Sequence, residues 1–425
     1  MQRLTEPLLK TGQQFNPVTL AEAWRVIAQR NLLVEANRSL VMATGDYSNE
    51  ELYLIQRLAR TGLCTNAIGS FEYYQKGTAF FIDKNDIVPY AELLGSGHFY
   101  TILDPAAKSV SLDTVSAILE MRKETPRYDF NTPGHLNIHN FGAFFRSINQ
   151  YILRNGLEKG IYVNGLGKNY ESYKKALLAE DSQALLEVNH LTDKDIRDFA
   201  DPLLRAEAPV FIVWERLLDE RGIIELENLC MLLDIQAKPS SGFLCLKAEL
   251  NSQGLYDMGM FPGICVGGEP FDDANKKRMQ DIYGQSIFTD PVDLPKRIEN
   301  RDFAQCFIFN ATGTETPAEI IEAVKASTFS VLQTAYWTDT CDYFDLVLPA
   351  SLPEESDGTY TDSTRAAHNS KADTPCPLPC NNLQLFSLWS EQFGLGKLDT
   401  ASDVFLEYIS FFQGGCRSDL RHFFR

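Results

Sequence analysis

Short apolar runs recur along this chain, each closed by a polar or glycine-bearing turn and followed by a helical pattern. Arg38 to Ala43 reads as the first strand, and Thr44, Gly45, Asp46 and Tyr47 form its turn. Ser48, with Glu51 three residues on, has the spacing of a capping box. A helix therefore opens there, with Leu52, Ile55, Leu58 and Ala59 on one face. Further strands are predicted at 99–103, 210–214, 306–309, 329–333 and 345–348, and helices at 225–233 and 317–326. These strands are apolar on both faces. Such strands, alternating with helices, form parallel sheets covered on both sides, so an α/β fold is expected. In such sheets ligands sit beyond the carboxyl ends of the strands. That rule selects Thr44-Gly45-Asp46, Asn310-Ala311-Thr312-Gly313 and Tyr336-Trp337-Thr338-Asp339. Residues 359–382, rich in Ser, Asp, Pro and Asn, predict a long surface loop.

The chain has 425 residues, more than one core usually organises, so two or three domains are expected. Its formal net charge of −18 argues against nucleic acid, whose phosphates require Lys and Arg. The same charge argues against an anionic membrane surface. No apolar run of about 18 residues occurs, so no membrane insertion is expected. Met1 to Pro7 lacks an apolar signal core, which predicts a cytoplasmic location. The nine cysteines are odd in number and mostly isolated among apolar residues, as Cys230 is between Leu229 and Met231. Buried thiols account for them better than a disulfide framework. With no Cys-x-x-Cys pair, no iron–sulfur cluster is expected in this chain. Cys376 and Cys380 form Cys-Pro-Leu-Pro-Cys, which supplies two of the four ligands of a tetrahedral site.

Candidate chemistry concentrates in a few segments. Asn310 to Pro317 sets small and hydroxyl residues between a strand and a helix. Backbone amides there can approach a phosphate or a pterin, or the segment is an ordinary capped turn. Asn251 to Gly263 is Gly-rich and carries Gln253, Gly254 and Asp257. Amide side chains there suit a heterocycle with amide-like edges, whereas a tight turn would need only the glycines. His135 and His139 have metal-ligand spacing for a helix, but no carboxylate lies between them, Pro133-Gly134 reads as a helix start, and capping or core packing explains them better. Gly165-Leu166-Gly167 lacks the third glycine of a dinucleotide fingerprint and reads as a loop. Gly-x-Ser-x-Gly is absent, which argues against a typical serine hydrolase.

Four segments, taken in order, resemble the molybdopterin oxidoreductase family, the formate dehydrogenase and complex I large-subunit group. Arg3 to Lys10 with Trp24 is similar to the stretch just after that family's iron–sulfur domain. Asn49 to Ile68 is similar to its helix and Gly-Thr-Asn motif. Ser241 to Pro262 resembles its Asn-x-Gln-Gly-x-x-Asp-Met-Gly segment, and Thr338 to Arg365 its Asp-Val-Val-Leu-Pro-Ala region. The resemblance implies two Rossmann-like domains with parallel sheets covered by helices. The first is discontinuous over 1–75 and 236–425, and the second is inserted at 76–235. It also implies molybdopterin guanine dinucleotide with Mo or W, held by Gly45, Gln253, Gly254, Asp257, Asn310, Thr312, Gly313, Thr338, Asp339 and Thr340. Iron–sulfur and/or flavin protein subunits would be the partners.

The departures from the family are specific. Ala67 to Lys76 contains no Cys or His where the family carries its metal ligand, and Lys247 is the nearest cation to the amide segment. The family's N-terminal iron–sulfur domain and C-terminal dinucleotide-binding domain are expected to be lacking. Three readings follow. The chain supplies a pterin cleft to a cytoplasmic redox complex, formate dehydrogenase-like or NADH-linked. Or it is a metal-free scaffold in an electron-transfer complex. Or it is a stand-alone nucleotide-binding protein. Catalysis by this chain alone is not expected.

Overall fold

The computed structural model describes residues 2–81, 87–159 and 169–412, so Gly165-Leu166-Gly167 lies outside the described residues. The chain forms two compact units. One comprises 1–75, 249–362 and the described residues from 367 on; the other comprises 76–248 and 363–366. Strands in chain order are β1 Leu8–Thr11, β2 Gln14–Pro17, β3 Ser39–Ala43, β4 Ile68–Ser70, β5 His98–Ile102, β6 Arg127–Asp129 and β7 Pro209–Trp214. They continue with β8 Gly242–Leu246, β9 Gln305–Phe309, β10 Phe329–Thr334, β11 Leu346–Pro349, β12 Gly358–Thr361 and β13 Ala367–Ser370.

In the first unit a seven-stranded sheet runs β2-β1-β11-β10-β9-β3-β4. The five strands from β11 to β4 are mutually parallel; β1 joins antiparallel to β11, and β2 closes that edge antiparallel to β1. Every residue of β3, β9 and β10 is buried, so these central strands need apolar side chains on both faces. Leu40, Met42, Cys306, Ile308 and Leu332 share one core cluster with Ile320 and Val324 of the helix Ala318–Ala326. On another side Phe307 lies 5.5 Å from the Trp389 ring, which stacks on Trp24 at 5.0 Å. Burying each such side chain contributes about 1.5–3 kcal/mol. The second unit holds a parallel sheet in the order β6-β5-β7-β8. Tyr100 of β5 stacks on Phe211 of β7 at 4.9 Å, and Phe130, Phe144 and Phe199 pack edge to face beside them. The architecture is thus mixed α/β, with parallel sheets and helices.

Two expectations are corrected. The predicted loop at 359–382 contains a hairpin, β12 paired antiparallel with β13. Its first strand is buried through polar contacts: the Asn49 amide donates to the Thr359 and Thr361 hydroxyls at 3.1 and 3.0 Å. The helix expected to start at Pro133-Gly134 starts at Phe141, with Asn140 as its cap. The segment before it is a turn in which His135 meets the Thr132 hydroxyl at 3.0 Å and lies against the Tyr128 ring.

Candidate functional site

Parallel pairing puts the carboxyl ends of β3, β9, β10 and β11 along one edge of the seven-stranded sheet. The turns after β3, β9 and β10 carry Gly45, then Asn310, Thr312 and Gly313, then Thr338. The structure brings these residues together. The Thr312 hydroxyl donates to the Asp46 carboxylate at 2.6 Å, and the Thr44 hydroxyl donates to the same oxygen at 3.0 Å. Gly313 has φ of +75°, and a Cβ on it would come within 3.7 Å of the Thr338 methyl. Asn310 folds its own turn: its Nδ2 donates to the Thr314 carbonyl at 2.6 Å, and its Oδ1 accepts the Thr314 amide at 2.9 Å.

Gln253, Gly254 and Asp257 lie on the helix Ser252–Asp257, where a loop with special glycines was one expectation. This helix reaches the strand ends through the residues just before it. Asn251 donates its backbone amide to the Gly45 carbonyl at 2.8 Å and its side chain to the Tyr47 carbonyl at 2.8 Å. A Cβ at Gly254 would stand 2.2 Å from Asn251 Oδ1 and 2.3 Å from Asn49 Oδ1, so only glycine fits there. The Gln253 amide donates to Asp257 at 3.2 Å, and its buried Oε1 has no hydrogen-bond partner. Asp339 and Thr340 sit in a short turn, Asp339–Tyr343, and no hydrogen bond joins either to the other candidates among the described residues.

Acidic residues that the sequence reading did not select dominate this edge. Glu249 crosses to the β3 turn and accepts the Gly45 amide at 2.8 Å. Glu50 and Glu51, both buried at the start of the helix Asn49–Arg57, accept further amides. The Ser48 amide goes to Glu51 at 2.9 Å and the Thr359 amide to Glu50 at 2.8 Å. Burial pushes the Glu51 carboxyl up to about 7, the Glu50 charge adding to the effect and the Ser48 hydrogen bonds opposing it. Burial also raises Glu50, against the hydrogen bonds from Thr359. Burial, then the charges of Glu51, Glu50, Asp46 and Glu354, hold the Tyr360 phenol well above its ordinary value. Of the cations on this unit, Arg3 is engaged by Glu355 at 2.6 Å. Fully buried Arg60 spends its guanidinium on Gln56, Asn66 and the carbonyls of Phe261 and Ile264.

The phosphates of a pterin dinucleotide need free amides or cations, and its ring needs unpaired amide edges. The Gly45 and Ser48 amides are taken by carboxylates, the Thr44 and Thr312 hydroxyls face Asp46, and the Asn310 amide closes its own turn. Gln253 Oε1 is a buried acceptor without a hydrogen-bond partner. Thr44, Gly45, Ser48, Asn310 and Thr312, engaged in this way, do not fit an anionic cofactor. No group of three or more His, Cys, Asp or Glu able to hold a metal occurs among the described residues.

No family model matches the chain. It is 25% identical over 433 residues to a curated Staphylococcus haemolyticus protein named "Putative formate dehydrogenase", which takes in 92% of this chain and 44% of that protein. A Staphylococcus aureus protein of the same name is 23% identical over 403 residues, 86% of this chain and 40% of that protein. The chain therefore spans less than half the length of these curated relatives. Among solved structures, acetylene hydratase from Pelobacter acetylenicus superposes with a TM-score of 0.63 at 12% identity, over 96% of this chain and 65% of that one. A chain of the formyltransferase/hydrolase complex FhcABCD from Methylorubrum extorquens, solved with methylofuran, gives 0.55 at 12% identity, over 91% of this chain and 98% of that one. The chain is thus similar in sequence to proteins named as putative formate dehydrogenases, and it shares its fold with these two solved structures. No described helix is long and apolar enough to cross a membrane.

Proposed function

We propose that this chain is a scaffold subunit of a multi-subunit complex acting on a one-carbon substrate at the formate level, and that it keeps the molybdopterin-oxidoreductase fold without holding the pterin. The observation that carries this reading is the occupation of the strand-end donors by the chain's own carboxylates. Two further facts support it. Ala67 to Lys76 offers no thiolate or imidazole at the place where the resemblance expects a metal ligand. The chain also shares its fold with a chain of a formyltransferase/hydrolase complex. Formyl hydrolysis yields formate, so this name and that of the formate dehydrogenase relatives concern the same oxidation level. The reading in which the chain contributes to a pterin cleft draws on the formate dehydrogenase name of its relatives and on the unpartnered Gln253 Oε1. Iron–sulfur or flavin subunits remain the partners that second reading would need.

The complex is tested by purifying a tagged chain from its natural host at native expression. The expected result is a fixed set of subunits in constant ratio through ion exchange and gel filtration, with formyl-hydrolysing or formate-linked activity in the same fractions. Elution of the chain alone, with that activity elsewhere, contradicts the proposal.

A further inference from the structure

The strand β3, its turn and the helix Asn49–Arg57 form a strand–turn–helix unit, the arrangement in which backbone amides commonly receive a phosphate. Here one side chain stands on the turn. Glu249 Oε2 accepts the Gly45 amide at 2.8 Å. A Cβ at Gly45 would meet Glu249 Cβ and Oε2 at 2.7 Å each and the Ser252 amide nitrogen at 3.1 Å, so the Glu249 side chain fills the space above the glycine. The segment is held in place by the Ser252 hydroxyl, which accepts the Glu249 amide at 3.2 Å, and by the Asn251 amide on the Gly45 carbonyl. Asp46, the next residue, orients its carboxylate toward Thr44 and Thr312.

We infer that Glu249 is an internal ligand: its carboxylate occupies an anion position on the Gly45 turn, and Asp46 guards the adjoining hydroxyls, so that a phosphate-bearing molecule is excluded. The inference rests on the pterin-free reading above. It adds that the anion position still exists beneath Glu249 and is closed by charge and volume. A carboxylate and a phosphate compete for the same amide. Removing the former therefore exposes a donor whose bond to an ionised acceptor is stronger than one to a neutral group.

The test is titration calorimetry with inorganic pyrophosphate on the full-length chain in its complex, at low salt. Three proteins are compared: the natural chain, Glu249→Ala, and Glu249→Ala combined with Asp46→Asn. The natural chain is expected not to bind at millimolar pyrophosphate. Glu249→Ala should bind, and the double variant should bind about tenfold more tightly than the single, as expected for removing one adjacent charge. Glu249→Gln keeps an acceptor and nearly the same volume, and should remain closed. Thermal melting establishes that each variant is folded. If Glu249→Ala is not, Glu249→Ser takes its place, leaving a short hydroxyl beside Gly45. Folded opened variants that bind no pyrophosphate overturn the inference, as does equal binding by the natural chain. Pterin analysis of the same natural preparation separates the two claims. Stoichiometric pterin overturns the pterin-free reading, whereas no pterin with no gain of binding overturns only the internal ligand.

Discussion

Glu51 shows how a single buried carboxyl sets a pH dependence. Its folded value is raised to about 7, mainly by burial, from an ordinary value near 4.5. A raised acid binds its proton more tightly when folded, so its contribution favours folding at low pH. That contribution is lost as pH rises from 4.5 through 7. Glu51→Gln keeps an oxygen for the Ser48 amide and removes the titration. Urea unfolding at pH 5 and pH 8 should show the variant gaining about 3 kcal/mol relative to the natural chain between those values. An unchanged difference would show that Glu51 ionises freely. Gly254 is a second test at this scale. Its missing Cβ leaves room for Asn251 Oδ1 and Asn49 Oδ1 at 2.2 and 2.3 Å. Gly254→Ala should therefore cost about 3 kcal/mol by urea unfolding, through displacement of two buried amides. At this scale the sequence showed the turn residues but not the acceptor of the Gly45 amide. Gly45, Asn310 and Thr312 stand out as small polar residues after apolar runs. Glu249 lies 204 positions from Gly45 and no local pattern links them.

Elements were legible where burial is apolar and illegible where it is polar. β3, β9 and β10 are buried on both faces, so their apolar runs declare them. The strands β1 and β2, at one end of the sheet, are partly exposed and mix Lys, Gln, Asn and Pro with their apolar residues, so no run marks them. The hairpin of β12 and β13 was read as a loop because its buried strand is tied by Thr, Asn and Glu side chains. Asn251 is the centre of that tie: it donates to Tyr47 and Asn49 and accepts the Thr361 amide at 2.8 Å. Asn251→Ala should destabilise the first unit by about 2–3 kcal/mol, since it strands a buried amide and a buried carbonyl. Limited proteolysis should then cut within 358–370 before the sheet. Cleavage at natural rates would mean that the hairpin is held elsewhere.

At the scale of the whole molecule, the resemblance carried the fold further than the chemistry. Apolar strands alternating with helices give the parallel sheets and collect the turns along one edge. The chemistry of that edge depends on carboxylates that meet groups far away in sequence, Glu249 on Gly45, Asp46 on Thr312 and Glu50 on Thr359, while Glu51 caps its own helix from Ser48. A fold shared with acetylene hydratase thus meets an edge at which the Gly45 and Ser48 amides are already taken by carboxylates. The core beneath is unaffected by this question. Phe307→Ala, at a position with no exposed surface, should cost about 3–5 kcal/mol in urea unfolding whether or not a cofactor is held. The central claim is that the chain has the fold without the pterin. The complex purified from its natural host under anaerobic conditions, separated into subunits without denaturation, is analysed by metal mass spectrometry and by fluorescence of oxidised pterin. The account predicts that the fraction containing this chain carries neither molybdenum, tungsten nor pterin above trace. One pterin per chain in that fraction would contradict it.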